Sequence, residues 1–295
     1  EIAYVHTESY VRYVASLENR ARASLDPDTH LSPKSFQAAL FAAGGVLTGI
    51  DQVMDGKLDN CFALVRPPGH HAEADHGKGF CIFNNIAVGA EHAMRRYGLD
   101  RVLIVDWDLH HGNGTQHSFY EDDRVLYFST HQYPYYPGTG DIDETGRGKG
   151  EGFTVNVPMD IGYGDPEFHA VFKKVLEPLS RSFSPQLVLV SAGFDAYRVD
   201  PLGGMELTPT GYAALTRVVV DIAADCAGGR LLLALEGGYN LEGLRECVKL
   251  VLKQLLGDEP ATAPAGTYSE QISGRAESTV RRVLEVQRRY WSCFQ

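Results

Sequence analysis

The chain is 295 residues long, 44% hydrophobic, and carries 38 acidic against 27 basic residues, a formal charge of −11 at pH 7. That length suits one α/β domain around one substantial core, and the acidic balance speaks against direct nucleic-acid binding while suiting a cationic partner. Five scattered cysteines without a C-x-x-C pair speak against a disulfide framework and for a reducing, cytoplasmic setting, and neither a signal peptide nor an apolar run of the roughly 18 residues that span a bilayer is present.

In chain order, the pattern predicts a helix over 33–54, a strand over 61–65, a helix over 84–97, and strands over 101–105 and 125–129. A long loop follows over 132–152, rich in Tyr, Pro and Gly, of the kind that is usually functional. Next come a strand over 153–157, a helix over 166–182, a strand over 187–191, a helix over 208–226, a strand over 231–235 and a helix over 241–256. Beyond it, "GDEPATAPAGT" (257–267) reads as a linker, and 270–291 as a basic tail of helical pattern. Alternating strands and helices imply a mostly parallel sheet with helices on both faces.

Polar motifs follow the strands. The run at 61–65 leads into "RPPGHH", 101–105 into "DWDLHHGNG", 187–191 into "AGFDAYRVDP", and 231–235 into "EGGYNLEG". In a parallel sheet, ligands collect beyond the carboxyl ends of the strands, so the four motifs are expected to share one site. Asp108 and His110 are two apart and project to one side of an extended backbone. Asp195 can supply a third ligand from a neighbouring strand end. Two carboxylates and an imidazole leave positions open, as catalytic metal sites do. Zinc is the favoured ion, although such a set also suits ferrous iron or cobalt. His70 and His71, after Pro-Pro-Gly, read as proton handlers. Asp106 and Asn113 are a carboxylate and an amide candidate for orienting them, and unlike partners separate two pKa values. Tyr239 has glycines beside it, Gly238 included, that allow close backbone approach, and its phenol is a candidate donor to a substrate carbonyl. Phe80, after Gly79, and Tyr136 in "YPYYPGTG" are candidate site aromatics.

With these residues assembled, the chain resembles the histone deacetylase family, in particular the class II and bacterial class II-like members of the arginase/deacetylase superfamily. The resemblance rests on "RPPGHHAEADHGKGFCIFNN", "VLIVDWDLHHGNGTQHSFYEDD", "LVLVSAGFDAYRVDPLGGMELTPTGY" and "LALEGGYNL", in order along the chain. It implies a single α/β domain around a mostly parallel, eight-stranded sheet, and hydrolysis of the acetyl amide of lysine in peptides or proteins. By the same resemblance Asp108, His110 and Asp195 are zinc ligands. His71 is the general base that later acts as acid, His70 its electrostatic partner paired with Asp106, and Tyr239 the donor to the acetyl carbonyl. Gly79, Phe80, Tyr136, Leu202 and Gly238 belong to the substrate tunnel, with Asp28 as its rim carboxylate. A potassium ion is implied at Asp106, Asp108, His110, Ser129 and Thr130, and hydroxamate-type zinc-binding inhibitors are expected to bind. Asn113 stands where class I members carry Asp, Tyr239 where class IIa members carry His, and Tyr136 where Phe is usual. The chain opens on Glu rather than Met, so the true N-terminus is expected upstream, and it begins inside the family pattern, without the usual segment bearing His-Pro-Glu-Arg.

Three other readings compete. Polyamine-selective relatives place a glutamate gatekeeper where this chain has Leu202. A dimanganese arginase-like hydrolase needs D-x-H-x-D, and position 112 is Gly. A catalytically inactive acetyl-lysine-binding scaffold has no need to keep His70, His71 and Tyr239 together.

Overall fold

The structure, a computed structural model, describes residues 1–258 and 273–295. β1 (Ala23–Ser24) and β2 (His30–Leu31) form a small antiparallel ladder of their own. The main sheet contains β3 (Asn60–Ala63), β4 (Val102–Asp106), β5 (Val125–Gln132), β6 (Thr154–Met159), β7 (Leu187–Ala192) and β8 (Leu231–Leu235). These six strands are parallel, in the order β3-β8-β7-β4-β5-β6. The resemblance implied eight strands in the sheet. Six are found among the described residues, and they correspond to the six apolar runs of the sequence with only their ends shifted.

Burial on both faces explains why those runs are unbroken. In β4, Leu103 and Val105 join the core on one face of the sheet and Val102 and Ile104 the core on the other, the period of two expected of a strand covered on both sides. Val188 and Val190 of β7 divide from Leu187 and Leu189 in the same way. Each such side chain, fully buried, contributes about 1.5–3 kcal/mol, so the strand ends are held in register. That register sets Asp106, the last residue of β4, directly opposite Ser129 of β5 and Ser191 of β7.

The helices are α1 (Glu8–Ser16), α2 (Ser35–Met54), α3 (Asn85–Tyr97), α4 (Asn113–Ser118), α5 (Asp165–Val171), α6 (Glu177–Phe183), α7 (Pro209–Cys226), α8 (Leu241–Leu255) and α9 (Gly274–Gln287). Helices α2 and α3 pack on one face of the sheet, and α5 to α9 supply the core on the other. Asn84, Thr208 and Asn240 cap α3, α7 and α8 by accepting from the backbone N–H three residues on. The single helix expected over 166–182 is interrupted by a π turn at Phe172–Leu176. Pro178, just past it, lacks the N–H that the regular ladder needs. Of the expected linker and tail, residues 259–272 lie outside the described residues, and the tail is described as a helix from Gly274, capped by Ser273. Among the described residues no helix is long and apolar enough to cross a membrane.

Candidate active site

The four polar strand ends converge. Asp106, with no exposed surface, accepts from His70 Nδ1 at 3.0 Å and from the Tyr127 hydroxyl at 3.1 Å on one carboxylate oxygen. Its other oxygen accepts from the Asp108 backbone N–H at 3.2 Å. The neighbouring imidazole takes a different partner: His71 Nδ1 lies 2.8 Å from Asn113 Oδ1. The two rings sit 4.0 Å apart between centroids. Burial pushes the His70 pKa down, but Asp106, Asp108 and Glu236 outweigh it and hold the pKa well above the usual histidine range. Burial, with His70 and His110 nearby, holds His71 well below that range. The unlike surroundings therefore drive the two imidazole pKa values apart, upward for His70 and downward for His71.

Asp108, His110 and Asp195 present ligand atoms all within 4.8 Å of one another, the one such group among the described residues. His110 Nδ1 lies 3.2 Å from Asp108 Oδ1 and 3.0 Å from Asp195 Oδ2. The other side of each carboxylate is already engaged by backbone: Gly237 N–H donates to Asp108 Oδ2 at 2.9 Å and Leu109 N–H to Asp195 Oδ1 at 2.9 Å. A Cβ on Gly237 would lie 2.4 Å from Asp195 Oδ2 and 2.7 Å from Asp108 Oδ2, so only glycine lets the backbone close around the pair. Two buried carboxylates facing one imidazole form an O, O, N set that could hold a divalent metal.

Above this cluster lies a cavity of about 330 Å³ whose lining includes His71, His110, Phe80, Tyr136 and Tyr239, with Asp28 and Leu202 at its mouth. Phe80 meets Tyr239 edge-to-face at 5.8 Å, and Tyr136 meets His71 at 5.1 Å. Gly79, at φ +57°, brings the backbone close beneath them: a Cβ there would lie 2.5 Å from His71 Cδ2 and 3.0 Å from the Tyr136 hydroxyl. Tyr135 is a further wall, stacked on His110 at 5.7 Å.

Two of the expected positions differ from their neighbours in what they present to the site. Gly237, not Gly238, lines the cavity. Gly238, at φ +129°, turns the chain so that its Cα faces Phe194 and Leu244 instead. Ser129 and Thr130 are consecutive in β5, so their side chains leave the sheet on opposite faces. The Ser129 hydroxyl contacts His131 Nδ1 at 2.9 Å, and Thr130 Oγ1 is buried without a hydrogen-bond partner. A cation beside Asp106 can therefore meet the hydroxyl of Ser129 but only the backbone of Thr130.

The family model described as the histone deacetylase domain matches residues 1–255. The chain belongs to the histone deacetylase family. It is 40% identical to a protein of Archaeoglobus fulgidus named a probable deacetylase, over all of this chain and 84% of that protein. It is 41% identical to the mouse polyamine deacetylase HDAC10, over all of this chain and 45% of that protein. The solved HDA15 HD domain matches with a TM-score of 0.92 at 41% identity, covering 99% of this chain and 79% of that one. The chain spans less than two thirds of the length of its fungal, plant and mouse relatives.

Within this histone deacetylase domain, several polar side chains support the site without standing out in the sequence. Glu236 accepts from the backbone N–H of Gly69 at 2.6 Å and of His70 at 3.2 Å, and from the Ser191 hydroxyl at 3.0 Å. Burial pushes its carboxyl up to about 7. Asp200 accepts from Tyr239 N–H at 2.7 Å, Asn240 N–H at 3.0 Å and Leu202 N–H at 2.9 Å, tying the phenol to the mouth. Glu73 accepts from Asn113 Nδ2 at 2.5 Å. The available signal was position: Glu236 directly follows β8, Asp200 lies in the motif of Asp195 and Leu202, and Glu73 in that of His70 and His71, although Tyr239 and Asn113, which they hold, belong to other motifs.

Proposed function

We propose that the chain is a zinc-dependent amidohydrolase that removes acetyl groups from the Nε amine of lysine in peptides or proteins. The reading is carried by one convergence: beneath an aromatic-walled cavity, an Asp-His-Asp cluster adjoins two histidines held by unlike partners. Asp108, His110 and Asp195 would hold the zinc, which when bound supplies Lewis-acid polarisation of the amide carbonyl and lowers the pKa of water toward about 7. Neutral His71 accepts the proton of the attacking water at Nε2 and returns a proton to the leaving amine. His70, kept positive by Asp106, supplies fixed charge beside it and leaves that proton alone. Burial keeps the Tyr239 phenol protonated, well above the usual tyrosine range, so it can donate to the oxyanion that develops on the carbonyl. Phe80 and Tyr136 take the apolar lysine stem between rings, and Asp28 is the rim acceptor for a substrate backbone N–H. The side chains of Asp106 and Ser129 are the anionic and hydroxyl oxygens open to a potassium ion of the kind the family resemblance implies.

The mouse relative named for polyamine deacetylation favours a second reading, in which acetylated polyamines are the substrates. Against it, the cavity mouth presents Leu202, 37% exposed, which offers no carboxylate to a distant ammonium. Acetate release by the zinc-loaded protein from an acetyl-lysine peptide and from acetylspermidine separates the two, with the peptide expected to be faster and a hydroxamate to inhibit. A preference for acetylspermidine would exchange the readings. Peptide binding without any acetate release would replace both with an acetyl-lysine-binding scaffold.

A further inference from the structure

We propose that Glu73 is a positioning residue that, through Asn113, fixes which ring nitrogen of His71 carries the proton. The inference rests on the reading of His71 as base but makes its own claim about a residue outside the cavity lining.

An asparagine beside a histidine does not by itself settle a tautomer, because its amide can present either oxygen or nitrogen. Here the far side of the amide decides. One terminal atom of Asn113 faces the Glu73 carboxylate at 2.5 Å and the His71 backbone carbonyl at 3.2 Å. Both of those groups are acceptors only, so the atom turned toward them must be the NH2 group. Its oxygen is then left facing His71 Nδ1 at 2.8 Å, and Nδ1 must carry the hydrogen. The lone pair of the neutral ring is consequently at Nε2, on the edge away from Asn113, where the proposed chemistry needs it. With the amide reversed, its oxygen would lie against a carboxylate and a carbonyl, and its NH2 would force the His71 proton onto Nε2.

Glu73 is built to stay in place. Its side chain is 13% exposed, its backbone N–H donates to His76 O at 2.9 Å, and its carbonyl accepts from His6 Nδ1 at 2.8 Å. On its outer side the carboxylate accepts from His117 Nδ1 at 2.8 Å. The same geometry explains why the middle of the relay is neutral. A carboxylate at position 113 would meet Glu73 at hydrogen-bond distance, and two such groups cannot both be ionised.

Zinc-loaded wild type, Glu73→Ala, Asn113→Asp and the double variant Glu73→Gln/Asn113→Asp test this by two readouts. The first is the long-range proton–nitrogen-15 spectrum of the imidazoles at neutral pH, with His71 assigned by its loss in His71→Gln. The second is kcat and KM on an acetyl-lysine peptide. Wild type should show His71 as the pure Nδ1–H form, and Glu73→Ala a mixture, with kcat down about tenfold and KM within about twofold. Asn113→Asp alone should lose more, and adding Glu73→Gln should recover at least about tenfold of that loss, since a neutral amide now donates to a carboxylate; two independent defects would instead multiply. A Glu73→Ala protein that keeps the pure Nδ1–H form would overturn the proposal, as would multiplying losses in the double variant. Because the spectrum needs no turnover, an unreactive wild type would sink the proposed function and leave the tautomer claim to be decided on its own.

Discussion

The floor of the cavity and its mouth are built differently. On the floor, Asp106, Asp108 and Asp195 are buried at 0–1% exposure, and their spare oxygens are taken by backbone N–H groups. They stand at or just beyond the ends of β4 and β7, two neighbouring strands in the middle of the sheet. At the mouth, Phe80, Tyr135, Tyr136 and Leu202 are 37–41% exposed and sit on loops. Their ties are few: the Tyr135 hydroxyl donates to Leu202 O at 3.1 Å, and Phe80 N–H to Thr29 Oγ1 at 3.0 Å. The floor is thus set by strand register and the mouth by loops, and the proposed function assigns chemistry to the first and selectivity to the second. Substitutions on the floor should act on metal content or kcat, and those at the mouth on KM and substrate choice.

The largest effect is expected at the floor. Asp195→Asn keeps an acceptor for Leu109 N–H but removes the charge that balances a divalent ion. Zinc content measured by elemental analysis should collapse. Turnover should fall about 1,000-fold or more, beyond the 10- to 100-fold typical of losing an outer partner of a ligand. Full zinc with altered turnover would remove Asp195 from the ligand set. Tyr239→Phe should leave zinc untouched and lower kcat by about 100- to 1,000-fold, the usual cost of losing an oxyanion donor. A loss below tenfold would take the phenol out of the chemistry.

The same contrast governs what the sequence made legible. Asp108 and His110 lie in one short motif beyond a strand with an unbroken apolar run, so local spacing was enough to pair them, and Asp195 follows from the neighbouring strand. The supports of the site depend on contacts with no local signature. Glu236 holds the backbone before His70 from 166–167 residues away, and Tyr127 donates to Asp106 from a position that reads only as strand interior. Helix α4 was also invisible, because "NGTQHS" is polar, contains glycine and has no apolar stripe. It forms where Thr115 N–H reaches His70 O at 3.2 Å, a tertiary contact rather than a propensity. The eight strands implied by resemblance are the converse case, a borrowed count that the six apolar runs of this chain had not supported.

Floor and mouth share one support, and pH should reveal it. His6, 2% exposed, donates from Nδ1 to Glu73 O and accepts at Nε2 from Asn84 N–H at 2.8 Å, clasping both ends of the segment that carries Phe80. Burial lowers its pKa to about 4. Between pH 6.5 and 4 the unfolded chain therefore binds the extra proton. The stabilisation is complete above about 6.5 and is lost as pH falls through about 4, on the order of 3 kcal/mol in full. Denaturant unfolding at pH 7.5 and 5 should show wild type losing more stability than His6→Gln, by about 2 kcal/mol. His131, also lowered to about 4 by burial, changes in the same direction in both proteins and cancels in that difference. Equal losses would mean that His6 is not held neutral by the fold.

The smallest effect is expected at the mouth, and it tests the separation most directly. Leu202 is fixed through its backbone, its N–H donating to Asp200 and its carbonyl accepting from Tyr135. Leu202→Glu therefore changes the side chain without removing either anchor. A half-exposed carboxylate facing an ammonium is worth up to about 1 kcal/mol, so kcat/KM for acetylspermidine should rise by about fivefold at most. On an acetyl-lysine peptide kcat should stay within about twofold, because Asp200 still holds Tyr239 through the backbone. If kcat on the peptide instead fell about tenfold, the mouth and the floor would be one mechanical unit joined through Asp200, and loop variation could not alter selectivity without also altering the chemistry.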